Sequence, residues 1–216
     1  VDIIHARSRA PAHAAYYAAK ALKIPFVTTF HGTYSLNYLG KKYYNSIMTK
    51  GDKVIAVSHF IKQHILDNYK IDAAKITTIN RGVDLNYFNP KRVKAELIKQ
   101  FKRKFGLSES SKIILLPARL TAWKGHNFLL KALPYLKEQN FHCLLIGDEG
   151  THQEYKNSLK DLIKELSLSD KVSIYPHSYD IATLYSLSDL VVVPSLRPEA
   201  FGRVMAEAGA MGKIVI

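Results

Sequence analysis

Residues 112–146, KIILLPARLTAWKGHNFLLKALPYLKEQNFHCLLI, hold two short apolar runs with a helical pattern between them. The runs Lys112 to Pro117 and Phe141 to Ile146 carry no lysine, arginine or acid after their first position. They read as strands buried on both faces, and Gly125 to Glu138 spaces its apolar residues as a helix does. Strand, helix and strand in this order make a parallel pair with a helical crossover. Toward the C-terminus the rhythm repeats, with strands at Lys171 to Tyr175, Asp189 to Val193 and Lys213 to Ile216. Helical patterns fall at His152 to Ser167, Asp180 to Leu187 and Gly202 to Met211. The pattern is that of a doubly wound parallel sheet.

The first half follows the same rhythm less cleanly. Candidate strands are Asp2 to His5, Pro25 to Phe30, Lys53 to Ser58 and Lys75 to Ile79, with helices near Ala10 to Leu22, Lys41 to Thr49 and His59 to Tyr69. The class is therefore α/β, with two Rossmann-like parallel-sheet domains at residues 1–90 and 111–216. A basic linker helix at 91–110 joins them, bordered by Asn89-Pro90 and containing Gly106. Val1 opens on a strand-like run and Lys213 to Ile216 reads as a strand with nothing after it, so both domains read as partial and the chain as a fragment.

Of the 216 residues, 47% are hydrophobic and 23% charged, which sets disordered and fibrous classes aside. No run of about 18 apolar residues and no signal-peptide pattern is present, and the chain reads as cytosolic. The single cysteine, Cys143, makes no internal disulfide, and no Cys/His cluster has zinc spacing. The net charge of +13 lies in the first half: residues 1–107 hold 19 Lys+Arg and 6 Asp+Glu, whereas 108–216 hold 12 of each. That asymmetry points to an anionic partner for the first half, whether nucleic acid, anionic lipid or a phosphorylated acceptor. The densest cluster, Lys91 to Lys104, also spaces Val93, Leu97, Ile98, Phe101 and Phe105 helically. It reads either as a basic amphipathic helix on an anionic membrane or as a linker helix packed on its own domain.

In open parallel sheets ligands bind where strands end. No Gly-x-Gly-x-x-Gly, Walker-type phosphate loop or Gly-x-Ser-x-Gly elbow occurs, so dinucleotide redox enzymes, P-loop NTPases and serine hydrolases find no support. After the strand ending at Pro117, Arg119 and Lys124 stand together at a strand-to-helix junction and suit a phosphate. Partly desolvated, each charged hydrogen bond contributes about 1.5–3 kcal/mol. After the strand ending at Val193 comes PSLRPEAFGR and a helix. Glu199 precedes that helix and Glu207 lies eight positions on, about 80° around a helical axis, so the two carboxylates would face one crevice. Between them the amides near Phe201, Gly202 and Arg203 form an anion site, Gly202 allowing close backbone approach. Diphosphate on amides and cations, ribose on one glutamate and donor sugar on the other is the chemistry of a nucleotide sugar. His31, after an apolar strand and before Gly32, is placed to donate a hydrogen bond to substrate.

The run PEAFGRVMAEA at 198–208, with Arg119, Lys124 and Gly125 upstream and Gly147-Asp148-Glu149-Gly150 between, resembles the retaining family 4 (group 1) glycosyltransferases of GT-B fold. Thr29-Phe30-His31-Gly32, Val57-Ser58 and Arg81-Gly82-Val83-Asp84 extend the resemblance through the first half. It implies that Arg119 and Lys124 bind the donor diphosphate, Glu199 the transferred sugar and Glu207 the ribose. Gly147 would let the chain pass close to the nucleotide, and His31 would sit near the reacting sugar. The resemblance further implies retention and no metal or other cofactor; the family is often described as using the leaving phosphate as base, so no side chain is assigned that role. At Pro176-His177 the family more often shows glycine, so a different loop is expected there.

The expected partners are a nucleotide-sugar donor, a glycan or glycolipid acceptor of lipopolysaccharide type and an anionic membrane surface, with no nucleic acid. The expected location is cytoplasmic, peripheral on the inner face of a membrane. Two alternatives stand beside this: a GT-B relative acting as phosphorylase or nucleotide-sugar epimerase, and a basic nucleic-acid-binding module.

Overall fold

The computed structural model describes every residue except 37, 137, 149–152 and 177–179. The chain divides into two compact units, Val1–Gly82 with Glu199–Phe201, and Val83–Pro198 with Gly202–Ile216.

In the first unit, strands β1 (Ile4–Ala6), β2 (Phe26–Phe30), β3 (Lys53–Ala56) and β4 (Ile76–Thr78) form a parallel sheet in sequential order. Helices α1 (Arg9–Leu22), α2 (Leu39–Asn45) and α3 (His59–Asn68) connect them. Helix α1 is rich in alanine, the best helix former, and its Pro11 lies in the first turn where no amide partner is lost. Lys23, at φ 55°, ends the helix in the left-handed region, and the Ile24 amide bonds back to the Ala19 carbonyl. Helix α2 stops sooner than its pattern predicts, because Ser46–Thr49 tightens into a 3₁₀ turn. The core is one cluster, with Phe26, Phe30, Val54, Ile61 and Ile65 at its centre.

The second unit contains α4 (Ala95–Lys104), β5 (Lys112–Pro117), α5 (His126–Ala132), β6 (Phe141–Ile146), α6 (Gln153–Glu165), β7 (Val172–Tyr175), α7 (Ile181–Leu187), β8 (Leu190–Val191), α8 (Arg203–Ala210) and β9 (Ile214–Val215). Its parallel sheet runs β7-β6-β5-β8-β9. Period-two alternation sends Ile113, Leu115, Leu144 and Ile146 to one face, and Ile114, Leu116, Cys143 and Leu145 to the other. The first face packs against α4, α7 and α8, and the second against α5 and α6. Burying each such side chain stabilises by about 1.5–3 kcal/mol, which is why both faces of these strands are apolar.

Three differences from the sequence pattern have local causes. The helix expected over 125–138 ends at Ala132 and continues as a 3₁₀ turn, Leu133–Leu136. Pro134 supplies no amide and its ring clashes with the carbonyl one turn back. The strands expected at 189–193 and 213–216 shorten to two residues each, although Asp189 and Val192 still donate to the Ile113 and Leu115 carbonyls. Helix α4 packs the half-buried Ile98 and Phe101 against the second unit's core, as the linker-helix reading expects of its apolar side. Of the expected helix at 152–167, His152 lies outside the described residues, and so does His177 of the Pro176-His177 pair.

Candidate functional site

The loops that leave β5, β6 and β8 are locked into one another. A methyl group added at Gly125 would lie 1.9 Å from the Pro194 carbonyl oxygen, and one at Gly147 would lie 1.9 Å from the Ala118 carbonyl oxygen. Only glycine permits either approach, and Gly125 also holds φ 76°. Backbone hydrogen bonds complete the lock: Leu120 to the Asp148 carbonyl at 3.1 Å, and Leu196 to the Trp123 carbonyl at 2.8 Å. Gly147 thus admits the Ala118 carbonyl of a neighbouring strand end of its own unit. Glu149 and Gly150 of the same motif lie outside the described residues.

Arg119 and Lys124 project from this lock, Arg119 exposed and two residues past β5, Lys124 ending the single 3₁₀ turn Ala122–Lys124. The Lys124 Nζ stands 4.2 Å from the Trp123 ring centroid, which limits the freedom of its ammonium group. Gly202, at φ 80°, caps α8 without a side chain, so the first amides of α8, from Arg203 on, have no partner within the helix.

Glu207 is buried on α8. Its Oε1 accepts from Arg203 Nη2 at 2.9 Å and its Oε2 from the Tyr185 hydroxyl at 3.1 Å. Burial first, then the Glu207 charge, raises the Tyr185 pKa, so that phenol stays a donor. The helical relation expected between Glu199 and Glu207 does not arise, because α8 begins only at Arg203, behind the left-handed Gly202. Glu199, Ala200 and Phe201 group with the first unit, where Ala200 packs on the core and its carbonyl accepts from the Ser58 hydroxyl at 2.5 Å.

The first unit also collects residues at its strand ends. His31 follows β2, with Arg7 after β1 and Arg81 after β4. The Arg81 guanidinium reaches His31 Nδ1 at 2.7 Å, and Arg7 Nε lies 3.4 Å from Nε2. Arginine only donates, and neutral imidazole accepts at one nitrogen. Each ring nitrogen of His31 therefore faces a guanidinium donor, and the neutral ring accepts from one of the two arginines. Burial, then the charges of Arg81, Arg7 and His5, lowers the His31 pKa and keeps the ring neutral. Nearby, His5 Nε2 is 2.7 Å from the Thr29 hydroxyl. Arg7 and Tyr185 carry no sequence motif, and Arg81 enters the sequence only as the start of Arg81-Gly82-Val83-Asp84, without a site role. The strand-end rule that selected His31 would have found the two arginines, while no local signal marks Tyr185.

A family model described as glycosyl transferases group 1 matches residues 98–216, and one described as glycosyltransferase family 4 matches residues 1–87. The chain belongs to the group 1 glycosyl transferases. Among solved structures, a glycosyltransferase from Rickettsia africae ESF-5 is 48% identical, with a TM-score of 0.91 over 100% of this chain and 57% of that one. Anabaena Alr3699/HepE, solved with UDP and glucose, is 25% identical with a TM-score of 0.89, over 99% of this chain and 58% of that one. Among curated relatives, the D-inositol 3-phosphate glycosyltransferase of Thermobispora bispora is 26% identical over 98% of this chain and 53% of its own length. The chain thus spans about half the length of these relatives. The fold class is α/β with two parallel sheets, matching glycosyltransferase structures of GT-B fold.

Proposed function

We propose that this chain binds a nucleotide-diphosphate sugar and serves in its transfer, with retention, to a glycan or glycolipid acceptor. The observation that carries this is the locked set of strand ends in the second unit, which presents Arg119, Lys124 and the α8 amides on a rigid base. Preorganised positive groups favour the transition state because negative charge grows on the departing diphosphate there. The sugar–phosphate bond breaks with its electron pair going to the diphosphate, the acceptor oxygen bonds to the anomeric carbon, and the acceptor proton passes to the leaving phosphate. In this reading Glu199 holds the transferred sugar, Glu207 the ribose, and His31 donates a hydrogen bond to the sugar. Two side-chain cations supply the neutralisation a metal would otherwise give, so EDTA is expected to leave the rate unchanged.

The proposed location is the cytoplasmic face of a membrane, with an acceptor of lipopolysaccharide or glycolipid type. Among the described residues no helix is long and apolar enough to cross a membrane. The exposed cations of α4 would meet anionic lipid by charge alone, an interaction that salt weakens.

Calorimetric titration of the purified protein with UDP, GDP and ADP tests the donor site. One nucleotide is expected to bind, and Lys124→Ala to weaken it by about tenfold or more while circular dichroism is unchanged. Absence of binding by all three, combined with salt-dependent binding of oligonucleotides, would overturn the reading in favour of a nucleic-acid module. A sugar phosphate or an epimerised donor as product would replace transfer with phosphorolysis or epimerisation.

A further inference from the structure

We propose that a pocket on the first unit receives the phosphate and ring of a phosphorylated acceptor. The inference rests on the transferase reading and names the acceptor's chemistry. The pocket has a volume of about 470 Å³, and Ser8, Arg9, Tyr38, Lys41 and Tyr44 are among its walls. That is within the size range of small-ligand sites.

Its cations are built in. Arg9 Nη1 donates to Asn45 Oδ1 at 3.0 Å, and its guanidinium carbon lies 4.6 Å from the Tyr34 ring centroid. Asn45 is fully buried and anchored through Nδ2 to the Ser35 carbonyl at 2.9 Å. One arm of the guanidinium thus fixes the side chain, and a guanidinium has five donors to offer. Lys41 Nζ stands 5.0 Å from the Tyr38 ring centroid on the other side. Among the described residues neither cation has a carboxylate partner. The sequence withholds one as well: residues 3–51 contain seven lysines and arginines and no aspartate or glutamate. Two fixed cations without counter-charge favour an anion of charge near −2, which is a phosphate monoester.

A bare ion would not need the rings. Tyr38 and Tyr44 are 61% and 41% exposed, and Tyr44 is held flat against His13 with centroids 4.7 Å apart. Their faces suit the C–H side of a sugar or cyclitol whose phosphate reaches the cations. Helix α1 starts at the same wall, and the Ser8 side chain caps none of its amides.

The shared chemistry is a hydroxylated ring carrying a phosphate, whether free or as a lipid headgroup. The purified protein is titrated with glucose 6-phosphate, glucose and inorganic phosphate, and separately mixed with vesicles containing phosphatidylinositol 4-phosphate or an equal charge of phosphatidylglycerol. Glucose 6-phosphate is expected to bind at least about tenfold more tightly than glucose or phosphate. Lys41→Ala should remove that margin, Lys42→Ala should keep it, and both variants should bind UDP as the wild type does. Should glucose 6-phosphate not bind, Lys41-dependent preference for phosphatidylinositol 4-phosphate over phosphatidylglycerol assigns the same chemistry to a lipid. Equal losses in the two lysine variants would overturn the proposal, as would equal recruitment by both lipids where glucose 6-phosphate has no advantage over glucose. Failure to bind UDP would count against the donor site alone.

Discussion

In the second unit a methyl group added at Gly125 or Gly147 would meet a backbone oxygen at 1.9 Å, whereas at Gly32 or Gly82, beyond β2 and β4 of the first unit, it would meet nothing within 4 Å. The strand ends of the second unit are held by main chain against main chain. Those of the first are held by side chains and charge: Arg81 on His31, His5 on Thr29, Ser58 on the Ala200 carbonyl. A donor diphosphate is common to many transferases and suits a fixed cradle. Acceptors vary, and a site made of side chains is altered by substitution without moving the backbone.

The largest expected effect follows from that contrast. Gly125→Ala requires a backbone shift and a left-handed alanine, and should cost about 3 kcal/mol or more of stability together with nucleotide binding. Gly32→Ala, in open space at an ordinary φ, should change stability by less than about 0.5 kcal/mol. Urea unfolding of the two variants checks the pair. Equal losses would show that both sets of strand ends are held by backbone packing.

A second contrast is between two neutral histidines. His126 is fully buried in the second unit beside the Ala118 and Thr121 backbone, and burial pushes its pKa down to about 4. The unfolded chain takes up that proton near the ordinary value of 6.5, so stability should fall as pH drops from about 6.5 to about 4 and level off below. The shift corresponds to about 3 kcal/mol at most. His126→Leu should flatten this part of the urea-midpoint profile between pH 7 and pH 4.5. An unchanged slope would assign the acid sensitivity to other groups.

Much of this was legible before any coordinates. The apolar runs at 112–117 and 141–146 are unbroken because both faces are buried, and their bounds agree with β5 and β6 residue for residue. Elements whose ends depend on partners far along the chain were less legible. β8 and β9 keep two ladder residues each, and Pro134 breaks a helix that periodicity alone would continue. At the site, Arg119, Lys124 and His31 were marked by their place after strands. The Tyr185–Glu207 bond was not, since 22 positions separate residues that only α7 and α8 bring together on one face of the sheet.

The smallest expected effect separates tuning by charge from tuning by burial. For His31, burial is the leading cause of the lowered pKa and the Arg81 charge comes next, whereas for His126 the only charge acting, Lys124, is the last of four causes. Arg81→Gln keeps an amide donor for Nδ1 but removes the charge, so the His31 pKa should rise toward 6.5. Lys124→Ala should leave His126 nearly where it is. Proton NMR titration of the imidazole Cε1–H resonances reads both variants in the same pH series. If His31 does not move in Arg81→Gln, the Arg81 charge does not tune it, and burial with Arg7 and His5 keeps the ring neutral. If His31 rises while nucleotide affinity stays constant, the two units are tuned independently, and the first can change its strand-end residues without loosening the main-chain lock of the second.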